Sequence, residues 1–160
     1  MKIRSDYLIG VALDWFMAKA QGIETYGPQD FREQRRSVAK NGEYLYRWSH
    51  SWNQTGPLIE NEHIDLCWSS AEKSWAAYMM ESQRVDRQLE VEGPTPLVAA
   101  CRCYVVEKLG DFVDVPEGLL NSGEQAGLDW DGNVILWPSV IGNLIAKPDM
   151  AVNLAAAHPA

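Results

Sequence analysis

The 160-residue chain has few of the sequence features that are typical of membrane proteins or of proteins in an oxidising compartment. It contains no run of about 20 apolar residues, the length that a membrane-spanning helix needs. Its three cysteines are few and odd in number, which is typical of free thiols rather than of a disulfide framework. The charged opening, residues 1–6, lacks the apolar core of a signal peptide. We therefore expect a protein of the cytoplasm that does not insert into a membrane.

Basic charge is also scarce, with 14 Lys and Arg against 22 Asp and Glu and a net charge of −8. This balance disfavours a surface that coats nucleic acid, so we do not expect direct nucleic-acid binding. The acidic excess lies in residues 61–160, which suits a basic partner. One basic cluster interrupts the pattern and consists of Arg32, Arg35, Arg36 and Lys40. We interpret it as a solvated face, with a contact patch for an anion, a nucleic acid or an acidic protein as the alternative.

Motifs of known chemistry are missing as well. The chain has no glycine-rich phosphate loop and no nucleophile elbow. Cys101 and Cys103 lie in a predicted helix, where residues two apart point in different directions, so we expect no metal site. Ser49 and His50 are neighbours in a predicted strand and would face opposite sides, so we predict no catalytic dyad. The expectation is a protein without catalytic residues, metal or cofactor.

Two segments carry clear helix signals. Residues 6–21 place apolar side chains at three- and four-residue spacing, with Ser5 as the expected N-cap and Gly22 at the end. Residues 95–109 begin with Thr95 as N-cap and Pro96 at the first helical position, and Gly110 follows them. These two helices are the main helices of the predicted fold.

Between the two helices, segments within residues 43–80 are predicted to form a small, mostly antiparallel sheet. The expected strands are residues 43–52, 58–60, 64–68 and 74–80, and a helix is the alternative for the last of them. Residues 24–42 look like a loop-rich insertion, and residues 81–92 are charged and expected to be exposed. The predicted fold class is α+β, with helices packed on one sheet.

The last 40 residues differ from this pattern. Residues 121–123 resemble a linker, residues 128–137 fit a hairpin with an Asp-Gly turn, and residues 151–160 form an Ala-rich tail. The prediction is a domain over residues 1–120, followed by a C-terminal hairpin extension and tail over residues 121–160.

Two polar features remain as candidate binding sites. The segment 52–57 is predicted to be a loop in which Trp52, Asn53 and Gln54 offer an aromatic face beside amide groups. The turn at 93–96 precedes the second helix, where free backbone N–H groups could receive an anion, and Arg102 lies further along that helix. These residues could line one pocket with Trp52 as a stacking platform. The alternative is structural: Trp52 packs on the core, Thr95 only caps, and Arg102 pairs with a carboxylate. Of the seven tryptophans, we expect Trp15, Trp68 and Trp75 in the core.

Three blocks of the sequence resemble the phage NinX-like family, over about residues 8–120. The blocks are residues 10–22, residues 46–60 and residues 93–111, and the exit at 113–117 fits too. The chain departs from the family at Thr55, where the family has glycine, and residues 121–160 have no recognised counterpart. The resemblance implies an accessory protein of a phage or prophage that works in the host cytoplasm. It implies no known activity and no catalytic residues.

Three functions remain open at this point. The first is a non-enzymatic accessory protein that binds a host protein, to counter a defence or to modulate the host. The second is a protein that binds and sequesters a nucleotide-like small molecule. The third is a nucleic-acid-associated accessory of phage recombination. The sequence leaves a homodimer open.

Overall fold

The computed structural model describes residues 2–25, 46–83, 88–116 and Leu119. Several predictions lie outside these residues: the basic cluster of Arg32, Arg35, Arg36 and Lys40, most of the predicted insertion, and the C-terminal hairpin and tail. Among the residues that are described, no helix is long and apolar enough to span a membrane.

The described helices pack with antiparallel strand pairs, which confirms the predicted α+β class. The elements are β1 Lys2–Arg4, α1 Gly10–Ala20, α2 Trp52–Asn61, β2 Ile64–Ser69, β3 Ser74–Met79, β4 Leu89–Gly93, α3 Pro96–Leu109 and β5 Phe112–Asp114. One antiparallel sheet has the order β2-β3-β4, and β1 pairs with β5 in a separate two-stranded sheet.

Helix α3 forms the centre of the described part. Thr95 accepts a hydrogen bond from the backbone N–H of Val98, Pro96 occupies the first turn, and Gly110 ends the helix with a φ of 109°. All three positions confirm the sequence prediction. The helix is buried along most of its length, since it packs on β3 and β4 on one side and on α1 on another.

Helix α1 begins four residues later than predicted, at Gly10 rather than at residue 6. The preceding residues Ser5–Tyr7 form a 3-10 turn, and Ser5 does not cap a helix. Its hydroxyl instead donates to the carbonyl oxygen of Gly110, which joins the start of the chain to the end of α3. Gly22 has a φ of 71° just after the helix, as predicted.

Helix α2 replaces the loop predicted at 52–57 and the strand predicted at 58–60. The loop prediction was wrong although the segment contains a proline, because Pro57 is tolerated inside this helix. A proline there removes the hydrogen bond to the carbonyl of Asn53, and Asn53 is exposed, so water can take the place of the missing N–H. Thr55 is fully buried and donates to the carbonyl oxygen of Trp48 at 2.6 Å, which holds the helix on the core.

The sheet confirms two predicted strands and corrects two other predictions. Strands β2 and β3 lie where they were predicted, and the helical alternative for residues 74–80 is wrong. The strand predicted at 43–52 is wrong for its described part, because Trp48–His50 form a 3-10 turn. The charged segment 81–92 was predicted to be exposed, yet Leu89–Gly93 form β4, with buried Val91 between the glutamates.

The burial of the tryptophan side chains differs in part from the prediction. Trp15 is buried as expected, and Trp48 is buried as well. Trp75 is only partly buried, and Trp68 beside it keeps 45% of its surface exposed, so the core prediction for Trp68 is wrong. Their rings lie 5.6 Å apart across the β2–β3 pair. Strand β2 is an outer strand of the described sheet, and this position leaves Trp68 accessible.

Candidate functional site

A hollow of about 420 Å³ lies where the starts of α1, α2 and α3 meet. We call it the Trp52 pocket. Its walls are mostly apolar, with a few polar groups, and are formed by Ile9, Gly10, Ser49, His50, Trp52, Pro94, Thr95, Pro96, Leu97 and Val98. The volume falls in the range of small-molecule sites in proteins.

Trp52 and Thr95 are the two predicted site residues that the pocket brings together. Trp52 is the first residue of α2 and keeps 55% of its surface exposed, although it is a large apolar side chain. Thr95 caps α3 through its hydroxyl, so the same residue fixes the helix and lines the hollow. Its structural role, which the sequence suggested as the alternative, is therefore present as well.

The other three predicted site residues lie outside the Trp52 pocket. Asn53 is exposed on α2. Gln54 accepts a hydrogen bond from the backbone N–H of Arg47 at 2.6 Å, which fixes the chain before the helix. Arg102 lies on α3, and its hydrogen bonds lead away from the pocket.

Arg102 joins three parts of the fold through backbone carbonyls, and we call this arrangement the Arg102 clamp. Its Nε donates to Leu8 at 2.7 Å, and its Nη1 donates to Glu92 at 2.9 Å. Burial lowers the pKa of Arg102 to about 10, against the opposite effect of the charges on Asp6, Tyr7 and Glu92. The geometry is that of a structural cross-link between the start of α1, β4 and α3.

A buried polar chain reaches the pocket from the core and consists of Asp14, Ser49 and His50. Asp14 on α1 has no exposed surface, and its carboxylate accepts the backbone N–H of Ser49 at 2.8 Å and the Ser49 hydroxyl at 3.0 Å. The Ser49 Oγ also lies 3.0 Å from Nδ1 of His50. His50 is exposed and lines the pocket, as Trp52 does, so the polar chain includes an accessible ring.

Sequence reasoning missed this polar chain because it assumed a strand around Ser49. In a strand, neighbouring side chains point to opposite faces, whereas the 3-10 turn Trp48–His50 lets Ser49 contact the ring of His50. The signal that was available is Asp14, a carboxylate in the middle of an apolar helix. Such a residue requires hydrogen-bond donors from elsewhere in the fold.

The thiols near this region are poor candidates for chemistry. Cys101 is fully buried, and burial together with the nearby charge of Asp14 raises the pKa of its thiol well above the usual range. Burial also raises the pKa of Cys103 to about 12. A raised pKa disfavours the thiolate, which is the reactive form of cysteine. Within the described ranges, no group of three or more His, Cys, Asp or Glu could hold a metal ion.

A second hollow of about 430 Å³ is acidic and lies at the other end of α3. Glu107 in its wall accepts the Ser82 hydroxyl and the backbone N–H of Gln83, and Lys108 lies 3.4 Å from the carboxylate of Glu62. These groups tie the chain after β3 and the end of α2 to α3. The hollow therefore differs from the Trp52 pocket, which has apolar walls and an exposed aromatic ring.

Comparison with known proteins places the chain in a phage family. The family model described as "Bacteriophage P22, NinX" matches residues 5–108, which include every residue that lines the Trp52 pocket. Among curated proteins, none matches the chain. The match covers more than half of the sequence, and the chain belongs to the bacteriophage P22 NinX family.

Proposed function

From this membership in a phage family, we propose that the chain is a non-enzymatic phage accessory protein that acts by binding. Its recognition site is the Trp52 pocket, and its ligand is a small planar molecule of the nucleotide type. The observation that carries the proposal is the exposed ring of Trp52 at the edge of a hollow with apolar walls.

The exposed ring of Trp52 suits a planar ligand, because such a ligand can stack on it. A stacked base contributes about 1–3 kcal/mol to binding, and the gain does not depend on base identity, because every base has a π-face. Pro94, Pro96 and Leu97 line the same hollow and add apolar surface that a bound ring could contact. Apolar lining of this kind is typical of small-ligand sites.

The helix starts at the pocket favour a ligand with a negative group. Gly10 begins α1 and Pro96 begins α3, and both residues line the hollow. The N-terminal end of a helix carries partial positive charge, which attracts anions such as phosphate. A ring with an attached phosphate would satisfy both the aromatic and the electrostatic features of the pocket.

Binding without catalysis is the better reading of the polar chain. Ser49 is 2% exposed, and its hydroxyl lies between the Asp14 carboxylate and the His50 ring. In a serine hydrolase the histidine lies between the serine and the aspartate, so the order here is different. In the order Asp14, Ser49, His50, the serine can hold the histidine ring in place for ligand recognition.

Binding of a host protein, as in counter-defence, is a second candidate that one observation favours. Trp68 is an exposed aromatic side chain on β2, an outer strand of the described sheet, and the chain as a whole is acidic. Exposed aromatic rings are typical of protein interfaces, and acidic charge suits a basic partner. A pull-down from host lysate with Trp68→Ala as the comparison tests this function. Loss of a specific partner in the variant supports it, and equal capture contradicts a role for Trp68.

The test of the proposed function is a thermal-shift screen of the full chain against mono-, di- and cyclic nucleotides. We expect a rise in Tm with at least one class, and loss of that rise in Trp52→Ala. Trp68→Ala is the matched control, because it removes a similarly exposed tryptophan outside the pocket. No response to any nucleotide, or equal loss in both variants, contradicts the proposal.

A further inference from the structure

We infer that the outer edge of β2 binds an extended segment of a partner protein in which basic and apolar residues alternate. The segment would pair with strand Ile64–Ser69 and lengthen the β2-β3-β4 sheet by one strand. Among the described residues, only β3 pairs with β2. The inference rests on the second candidate function, the binding of a protein, and is independent of the Trp52 pocket.

Strand β2 lacks several features by which edge strands avoid pairing with other chains. The strand contains no proline and no lysine, and it pairs with β3 in an unbroken register, so no bulge turns it away. Asp65, Cys67 and Trp68 are exposed along it. The other outer strand, β4, differs, because Arg102 donates to the carbonyl oxygen of Glu92. A regular, exposed edge can accept a strand from another chain.

One face of this edge is apolar. Leu66 and Trp68 lie opposite Ala77 and Trp75 of β3, so these four side chains share a face of the sheet. Ala77 has no exposed surface, whereas Leu66 is half-buried and Trp68 is exposed. Burial on this face therefore decreases from β3 to β2. Apolar residues of an added strand would cover Leu66 and Trp68.

The opposite face of the edge is acidic. Asp65 lies opposite Tyr78 of β3, and the hydroxyl of Tyr78 donates to Glu90 of β4 at 3.3 Å. Glu92 is a further carboxylate in β4, and the three strands contain no lysine or arginine. Because Asp65 is on the outer strand, its carboxylate would lie nearest to an added strand. Basic residues at alternate positions of that strand would supply the positive charge that these strands lack.

Charge argues against a second copy of this chain as the occupant. Each copy carries a net charge of −8, and antiparallel pairing of two β2 strands would join two acidic faces in one sheet. Strand β2 itself has Asp65 as its only charged residue, so a second β2 cannot supply positive charge. A basic segment of another protein matches both faces of the edge.

The test titrates the full chain with synthetic peptides of the length of β2. In the first peptide lysine alternates with valine, in the second the same residues form two blocks, and in the third glutamate replaces lysine. By calorimetry we expect the alternating lysine peptide to bind about tenfold more tightly than either control. Equal binding of the block peptide, or binding of no peptide, overturns the inference, while the pull-down with Trp68→Ala still decides whether a host protein binds.

Hydrogen exchange of the backbone amides distinguishes an added strand from contact through side chains alone. With the alternating peptide bound, we expect slower exchange of the β2 amides that do not donate to β3, and unchanged exchange in α2. Unchanged exchange throughout β2 overturns the inference. A dimer of the free chain in sedimentation, with those β2 amides already protected, overturns it as well, because a second copy then occupies the edge.

Charge reversal at the edge tests the selection of a basic partner. Asp65→Lys should weaken binding of the alternating peptide about tenfold, because it replaces attraction by repulsion. Glu60→Lys is the matched control, since it makes the same charge change at an exposed residue of α2, outside the sheet. If Asp65→Lys does not fold, Trp68→Ala should weaken binding about fivefold through the apolar face. Equal weakening by both charge reversals, or unchanged binding in Trp68→Ala, overturns the inference.

Discussion

The Arg102 clamp and the polar chain of Asp14, Ser49 and His50 are two polar arrangements in the same apolar core. They differ in the groups that they connect. The hydrogen bonds of the clamp run from Arg102 to the backbone carbonyls of Leu8 and Glu92. The polar chain connects a fully buried carboxylate with an exposed ring in a hollow. The first arrangement holds elements together, and the second connects the core to a site that a ligand can reach.

The difference shows why residue type alone is a weak guide to function. Arg102 is the kind of residue that recognises anions, yet here it cross-links the fold. His50 and Ser49 looked ordinary in the sequence, yet they line the pocket. If this contrast is correct, changes at the clamp should lower stability without altering recognition, and changes along the polar chain should alter recognition at a smaller cost in stability.

The largest effect is expected at Gly93, beside the clamp. A Cβ at this position would lie 2.5 Å from the backbone nitrogen and 2.9 Å from the Cα of Ala99, and these backbone atoms of α3 cannot move as a side chain can. Gly93→Ala should separate β4 from α3 and lower the free energy of unfolding by about 3 kcal/mol or more, measured in denaturant. Gly56→Ala in α2 is the control, because nothing lies within 4 Å of its Cβ, and it should stabilise by about 0.5–1 kcal/mol. Equal effects of the two substitutions would contradict the close approach of β4 and α3.

Arg102→Met should have the next largest effect. Methionine retains an apolar stem but removes the donors to Leu8 and Glu92, so we expect a loss of about 2–3 kcal/mol of stability in denaturant unfolding. Ligand binding by the folded fraction should stay unchanged, since Arg102 does not line the Trp52 pocket. A variant of normal stability that loses ligand binding would reverse the roles assigned to the two arrangements.

The fold was predictable where the signals are local. Thr95, Pro96 and Gly110 mark the ends of α3 by chemistry that acts within a few residues, and the prediction was correct there. Strand β4 was missed because Glu90 and Glu92 made the segment look merely charged, while buried Val91 carried the alternation of a strand with one solvated face. Helix α2 was missed because its stability depends on the burial of Thr55, a tertiary contact that has no local signal.

The site was predictable only in part, for the same reason. Trp52 and Thr95 were predicted from their residue types and their neighbours, and the pocket brings them together. Ser49 and His50 depend on a 3-10 turn that places adjacent side chains in contact. Their partner Asp14 lies 35 residues away in the sequence from Ser49, a distance that no local pattern bridges.

Ser49→Ala should cost less stability than the clamp variant. It removes the hydroxyl donor to Asp14 but leaves the backbone N–H of residue 49 in place, so we expect a loss of about 1–2 kcal/mol in denaturant unfolding. Ser51→Ala should change stability by less than about 0.5 kcal/mol. The contrast between the two arrangements fails if Ser49→Ala is as damaging as Arg102→Met.

The smallest effect is expected at Glu92, whose side chain lies close to the charge of Arg102. Burial, with the charges of Glu72 and Glu90, raises the pKa of Glu92. A carboxyl group whose pKa is higher in the folded state binds its proton more readily there, so stability falls as the pH rises through that pKa. Glu92→Gln should therefore raise Tm at pH 7 by at most about 2 °C, and the gain should vanish below about pH 4.3. A lower Tm at pH 7 would show that attraction to Arg102 outweighs burial and repulsion.

The most direct test of the central claim, that the Trp52 pocket recognises a planar ligand, is a titration followed by ¹H–¹⁵N spectra. The four nucleoside monophosphates are added together to the ¹⁵N-labelled full chain, and the indole N–H signals of all seven tryptophans are followed. We predict saturable shifts of the Trp52 indole and of the amides of Gly10 and Leu97, with the Trp68 indole unmoved. Shifts centred on Trp68, or no shifts at millimolar nucleotide, would contradict the account.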